Sequence, residues 1–270
     1  MSASQSFGPP STSTSASPSS AVAAVAAATG TTGATIDLFD LGRRASAARD
    51  QRWGGRRATF VRSRQLMATG AWRGPRDATE GYVEVADLPA LGGGDAAAGW
   101  RAAREAGVDL LVGAGALELH RAARDGGART LWRLGFRSGE PAATRRQRLD
   151  ELQALLRAGL APWGVLPTPE GEAEGIDTLH LFATLRLEFP QLPHLSLDVA
   201  ALGPRLAQMA LSFGADELWA PIVSERALRL GGNANNPAMT RKEACVLIRG
   251  AALAPYERTG PDEFREEQQQ

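Results

Sequence analysis

Two features of the sequence predict an α/β fold built on parallel strands. From about residue 96 onward, helical and strand-like segments alternate five times without a hairpin signal between them, and parallel strands need crossovers of the length these helices provide. The stretch Arg205 to Gly232, RLAQMALSFGADELWAPIVSERALRLGG, shows the repeating step most clearly. An amphipathic helix runs into Gly214-Ala215-Asp216, a short apolar strand follows from Glu217 to Ile222, and a second helix is closed by Gly231-Gly232. This pattern suits either a closed barrel or an open doubly wound sheet. A chain of 270 residues holds one such domain more readily than two.

The elements can be read in order. Met1 to Ala34 is dominated by Ser, Thr, Ala, Pro and Gly without charge or periodicity, so residues 1–34 are expected to be a disordered tail. Residues 35–264 form the folded domain and 265–270 a flexible end. Ile36, Leu38, Phe39 and Leu41 give the first helix its apolar side, and Arg43 to Arg52 continue it. Arg57 to Leu66 alternates as a strand, whereas Met67 to Ala78 is broken by Gly70, Gly74 and Pro75 into a loop. Tyr82 to Val85 is extended and Gly92 to Gly94 is a joint. Helices are then predicted at Ala96–Ala106, Ala114–Arg124, Ala143–Ala158, Gly175–Phe189 and Leu202–Phe213. Strands follow them at Val108–Val112, Thr130–Leu134, Trp163–Leu166, His194–Asp198 and around Leu218. Thr240 and Glu243 form a capping box for a last helix, Arg241 to Ala252, which Pro255 ends. Glu257 and Arg258 beyond it read as an ion pair at the rim.

Charge and cysteine usage narrow the function. Thirty basic residues balance thirty acidic ones, Lys242 is the only lysine, and the arginines are scattered, so no basic face for nucleic acid is expected. The longest apolar run, Ala21 to Ala28, is too short to span a bilayer and no basic residue precedes it. A cytoplasmic protein is expected. The single cysteine, Cys245, falls on the core side of the last helix. It permits no disulfide within the chain, and no zinc or iron-sulfur site built from this chain's thiolates alone.

Candidate ligand positions gather at the carboxyl ends of strands, where barrel enzymes place their sites. Gly113-Ala114-Gly115-Ala116 follows a strand and opens a helix, so its amides are suited to a phosphate or ribose, although the third glycine of a dinucleotide fingerprint is missing. Arg137, Glu140 and Asp198 also lie at strand ends. His120, His180 and His194 are on separate elements and give no metal-binding spacing. No nucleophile, base and orienting group can be assembled, so the catalytic residues stay unassigned and no metal site is expected.

Several stretches recur together in one family. They are Gly175 to Leu179 with Ala183, Arg186 and Leu187; Leu206 to Gln208 with Phe213 to Asp216; Glu225 before Gly232; and Thr240 to Glu243 through Pro255 to Arg258. Upstream, Leu119 to Ala123, Arg129-Thr130, Glu140-Pro141 and Phe60 to Leu66 extend the pattern. In these the chain resembles the radical S-adenosylmethionine enzymes of the futalosine route to menaquinone, most of all the aminofutalosine synthases. The resemblance implies a TIM-type (β/α) barrel. In the family, a loop after the first strand carries CxxxCxxC, whose thiolates bind the [4Fe-4S] cluster that cleaves S-adenosylmethionine.

The departures shape the expectation. Here the corresponding loop, Met67 to Arg76, contains no cysteine. The step from Tyr82 to Trp100 is shorter than in the family and skips two strand-helix units. Phe136-Arg137-Ser138 replaces a tyrosine-glycine-histidine before Glu140, and Trp219-Ala220 replaces an aspartate-glycine. A truncated or partial barrel of about six parallel strands is therefore expected, with a gap between the strand Arg57–Leu66 and the strand Val108–Val112. Of the family's ligand-binding positions the resemblance leaves Glu140, Glu225 and the Gly113 to Ala116 turn with its Gly113 and Gly115, and Arg137 and Asp198 join them as ligand-binding candidates by their place at strand ends. No cluster and no other cofactor is expected. The chain reads as a catalytically degenerate relative, serving as a partner or regulator of an intact futalosine-pathway enzyme or binding a nucleoside-like ligand. The alternative is a barrel enzyme with non-radical chemistry at Arg137, Glu140 and Asp198. The expected gap would expose strand edges, which predicts a homodimer or a heterodimer with an intact enzyme.

Overall fold

The computed structural model describes residues 5–6, 37–66, 83–87, 110–113, 117–220, 222, 238–259 and 263–267. The expected loop at 67–78, the glycine joint at 92–94, the helix at 96–106 and the helix closed by Gly231-Gly232 lie outside these residues. Strand β1 is the pair Gln5–Ser6. Helix α1, Leu38–Trp53, is capped by Asp37, whose side chain accepts the Phe39 N–H; Gly54 ends it in the left-handed region at φ 65°. Strands β2 (Arg57–Leu66), β3 (Val83–Asp87) and β4 (Leu110–Gly113) follow. The alternation continues with α2 (Leu117–Asp125), β5 (Arg129–Phe136), α3 (Ala142–Arg157), β6 (Gly164–Pro169), α4 (Gly175–Glu188) and β7 (His194–Asp198). Two short helices, α5 (Val199–Leu202) and α6 (Pro204–Leu211), lead to β8 (Glu217–Ala220), and the chain continues through α7 (Arg241–Gly250), β9 (Ala254–Arg258) and β10 (Glu263–Glu266). The helix expected over Leu202–Phe213 is thus interrupted. Gly203 takes φ 74°, which an L side chain rarely adopts, and Pro204 starts the next helix where a missing N–H costs nothing.

Strand β2 is the hub of the sheet. Its residues Thr59–Arg62 pair in parallel with Glu217–Ala220 of β8, and its residues Ser63–Leu66 pair with Val83–Ala86 of β3. From β3 the parallel pairing runs through β4, β5, β6 and β7 to β8. Seven parallel strands therefore return onto their first, against about six expected. The gap expected between β2 and β4 is bridged by β3, which bonds to both. Below the start of that pairing, Arg57–Val61 of β2 pair in parallel with Ala254–Arg258 of β9. Strand β10 pairs antiparallel with β9, and Gln5–Ser6 pairs with Phe264 and Glu263 of β10. One dipeptide of the expected tail is therefore a strand, and the rest of residues 1–34 lies outside the described residues.

The alternation of β5 shows how the wall is made. Thr130, Trp132, Leu134 and Phe136 are buried, and Trp132, Leu134 and Phe136 join the outer core with Leu149, Leu152 and Leu155 of α3. Leu131 instead packs with Val61, Val112, Trp163, Leu166 and Trp219, a second cluster that fills the lumen. Gly164 belongs to that inner surface: a Cβ there would sit 2.9 Å from the His194 Cβ and 3.0 Å from Leu131. Helix α7 begins with the expected capping box, Thr240 and Glu243 each satisfying the other's backbone, and Cys245 is buried in its core face. Among the described residues no helix is long and apolar enough to cross a membrane.

Candidate functional site

The polar side chains of the barrel fall into a closed base and a ringed mouth. At the base, β7 and β8 begin with His194 and Glu217, and β9 brings Arg258 beneath the lumen. Arg258 and Glu257 are not the rim ion pair that the sequence suggested. Neighbouring strand residues point to opposite faces, so Arg258 enters the barrel and Glu257 faces outward toward Arg241 and Arg265. The Glu217 carboxylate accepts from Arg258 Nε at 2.7 Å, Ser196 Oγ at 2.8 Å, Trp219 Nε1 at 2.9 Å and Thr59 Oγ1 at 3.0 Å. The Arg258 guanidinium also lies over the Trp163 ring at 4.0 Å and the Phe264 ring at 4.5 Å.

Asp216, one residue earlier, faces the opposite way and ties the base to the helices. It accepts from Trp53 Nε1 of α1 at 2.6 Å, Arg186 of α4 at 3.0 Å and the Leu195 N–H at 2.6 Å. Burial alone would raise its pKa, but the adjoining Arg186 and His194 outweigh that and hold it at about 2. Glu217 is likewise held below its ordinary range, Arg258 overcoming burial. His194 sits between the Trp53 and Trp163 rings, 4.8 and 4.9 Å away, and burial followed by the Arg258 charge pushes its pKa down, so the imidazole is neutral. These groups satisfy one another at the amino-terminal ends of the strands, where barrels store stability rather than chemistry.

The mouth contains the sequence candidates. Arg137, after β5, is exposed and pairs with Glu170 after β6 at 3.2 Å. The Glu140 side chain is only 4% exposed; it lies 3.5 Å from Arg145 and 3.6 Å from Arg148, both on α3, and its Oε2 accepts the Arg137 N–H. Arg148 donates to the Gly135 carbonyl and to Glu170 at 3.1 Å, and its hydrogen bond to Glu170 holds that carboxyl below its usual range. Asp177 of α4 closes the ring by accepting the Gly139 N–H at 2.6 Å. Asp198 stands apart from these: its carboxylate caps α5, accepting from Ala200 and Ala201 at 2.9 and 3.2 Å. Gly113 ends β4, and Gly115 and Glu225 lie outside the described residues.

Sequence reading missed Arg133. By alternation with Leu131 it points into the lumen from the middle of β5, and its half-buried side chain leaves Nε without a hydrogen-bond partner. An arginine flanked by outward-facing Trp132 and Leu134 in an apolar strand is a signal that could have found it. Arg145, Arg148 and Glu170 gave no such signal, being ordinary charges on a helix and a loop.

A barrel of parallel strands with crossover helices and an apolar lumen defines a protein of the (β/α) barrel class. The crystal structure of methylornithine synthase superposes with a TM-score of 0.59 over 90% of this chain and 94% of that one; at 12% identity it shares the fold alone. No family profile matches the chain. In sequence, it is 25% identical over 193 residues to the aminodeoxyfutalosine synthase of Thermus thermophilus, covering 58% of this chain and 52% of the relative. It is 32% identical over 109 residues to the aminodeoxyfutalosine synthase of Streptomyces coelicolor, covering 36% and 28%. The chain is a homologue of these synthases and spans about half, or less, of the length of those it matches.

The residues present do not fit the [4Fe-4S] cluster that the family resemblance implies. Cys245 is the one thiol in the sequence and is buried in α7, where desolvation raises its pKa. Among the described residues no three histidine, cysteine or carboxylate side chains converge as a metal site would require.

Proposed function

We propose that this chain is a catalytically degenerate relative of aminodeoxyfutalosine synthase, acting in menaquinone biosynthesis as a partner or regulator of an intact enzyme. One observation carries the reading: the barrel is kept while the segment that follows β2 in sequence, Met67 to Arg76, contains no cysteine. A cluster needs several thiolates, and the one thiol present is in a helix core. The mouth supports the same reading over a barrel with new, non-radical chemistry. Arg137 and Glu140 are engaged in ion pairs and Asp198 in a helix cap, so none of them is poised as a base. In this reading Arg133, which strand alternation sets on the same side of β5 as Leu131, is the charged group that the polar edge of a nucleoside-like molecule would meet.

The test is anaerobic reconstitution with iron and sulfide. The expected result is no broad visible absorption, no stoichiometric iron and no deoxyadenosine from S-adenosylmethionine. Formation of a cluster that cleaves S-adenosylmethionine overturns the degenerate reading. The partner role is tested separately by light scattering on a mixture with a cysteine-bearing synthase from the same source. A complex supports it, and two species that ignore one another at micromolar concentration remove it.

A further inference from the structure

Outside the barrel wall, between α2 and α3, lies a cleft of about 540 Å³. Leu117 of α2, Ala154 of α3 and the outward-facing Trp132 and Leu134 of β5 give it an apolar lining, and Arg133, Arg148, Glu151 and Glu170 are its charged lining residues. Such a volume is in the range of small-molecule sites, roughly 300–1,000 Å³.

Trp132, one of the lining side chains, and His120 packed behind it carry polar atoms without partners. Trp132 is 5% exposed and its Nε1–H donates to nothing; His120 of α2 is 1% exposed and neither ring nitrogen is hydrogen-bonded. The two rings are stacked, with centroids 4.6 Å apart. A buried donor left unsatisfied costs about 1–3 kcal/mol, and for the Trp132 N–H an acceptor bound in the cleft would recover it. Burial lowers the His120 pKa to about 4, so the ring carries one donor and one acceptor near neutrality and no charge. The lining charges also balance, Arg133 and Arg148 against Glu151 and Glu170, and Glu170 is paired with both Arg148 and Arg137. The cleft therefore offers apolar area and an unused hydrogen-bond donor, without a net charge to hold an ion.

We propose that this cleft is a binding site for a neutral small molecule with a flat apolar body and a carbonyl oxygen that accepts the Trp132 Nε1–H. It is independent of the lumen and of the degenerate reading given above. The test uses benzamide as the probe and the ¹⁵N-indole signal of Trp132, assigned with Trp132→Phe, as the readout in the full chain. Benzamide is expected to shift that signal saturably with a Kd of about 1 mM. Ethylbenzene, similar in shape but without the carbonyl, is expected to bind about tenfold more weakly. Ala154→Phe, on the exposed side of α3, fills the cleft and is expected to abolish the response. Leu117→Trp obstructs it from the opposite helix, should the first variant not fold. A linear response, equal binding of the two probes, or an unchanged shift in a folded obstructed variant overturns the proposal.

Discussion

Glu217 is buried as an ion, yet every lone-pair direction it needs is met by Arg258, Ser196, Trp219 or Thr59. Glu217→Gln removes the charge that neutralises Arg258 and leaves a cation in the lumen. It is expected to cost about 3–5 kcal/mol in denaturant unfolding, whereas replacing both residues by apolar ones should cost less than the sum of the single changes. His120 predicts a pH dependence. Its folded pKa, about 4, lies below the unfolded value of 6.5, so the unfolded chain binds the extra proton and stability falls as pH drops from 6.5 toward 4. The loss is on the order of 3 kcal/mol over that window. His120→Phe should flatten the midpoint-against-pH curve there, leaving the steeper decline below pH 4 in which Asp216 and Glu217 lose their depressed-pKa advantage.

Elements owe their ends to local chemistry and their positions to particular side chains. Thr240→Ala removes the cap of α7, and a loss of about 1 kcal/mol in chemical denaturation is expected. Gly214 is a harsher position. It takes φ 95°, and a Cβ there would lie 2.8 Å from the Arg186 side chain, whose Nε donates to the Gly214 carbonyl at 2.9 Å. Gly214→Ala should therefore destabilise more than the cap variant, by about 2 kcal/mol or more, because strain and loss of the Arg186 position combine. An equal thermal shift for the two variants would show that Arg186 adapts freely.

For the molecule as a whole, closure changes what the missing length means. Omitting strand-helix units was expected to leave an open edge, but β2 is long enough to pair with β8 and β9 low down and with β3 higher up. The open-edge reason for dimerisation does not hold for β2. A partner, if present, must recognise a surface rather than complete a sheet. The short β1 contact with β10 adds little area, so a chain shortened to begin near Thr35 is expected to melt within a few degrees of the full chain. A larger loss would show that the Gln5–Ser6 pairing anchors more of the preceding segment than two residues.

Alternation of apolar helices and strands, the cap at Thr240, and the core-facing Cys245 were legible in the sequence, because period, capping and composition act over a few residues. Arg57–Leu66 was legible for the same reason. So was the kinship with the synthases, since it rests on short runs of residues in order. Which strands pair was not legible: β2 bonds to segments far apart in the chain, and register over that separation is set by closure of the whole sheet. Nor could sequence show that Arg258 turns inward while Glu257 turns outward, or that Glu140, Arg137 and Asp198 spend their polar atoms on neighbours rather than on a substrate. A charge is free or engaged according to what folding brings beside it, and only the tertiary structure decides that.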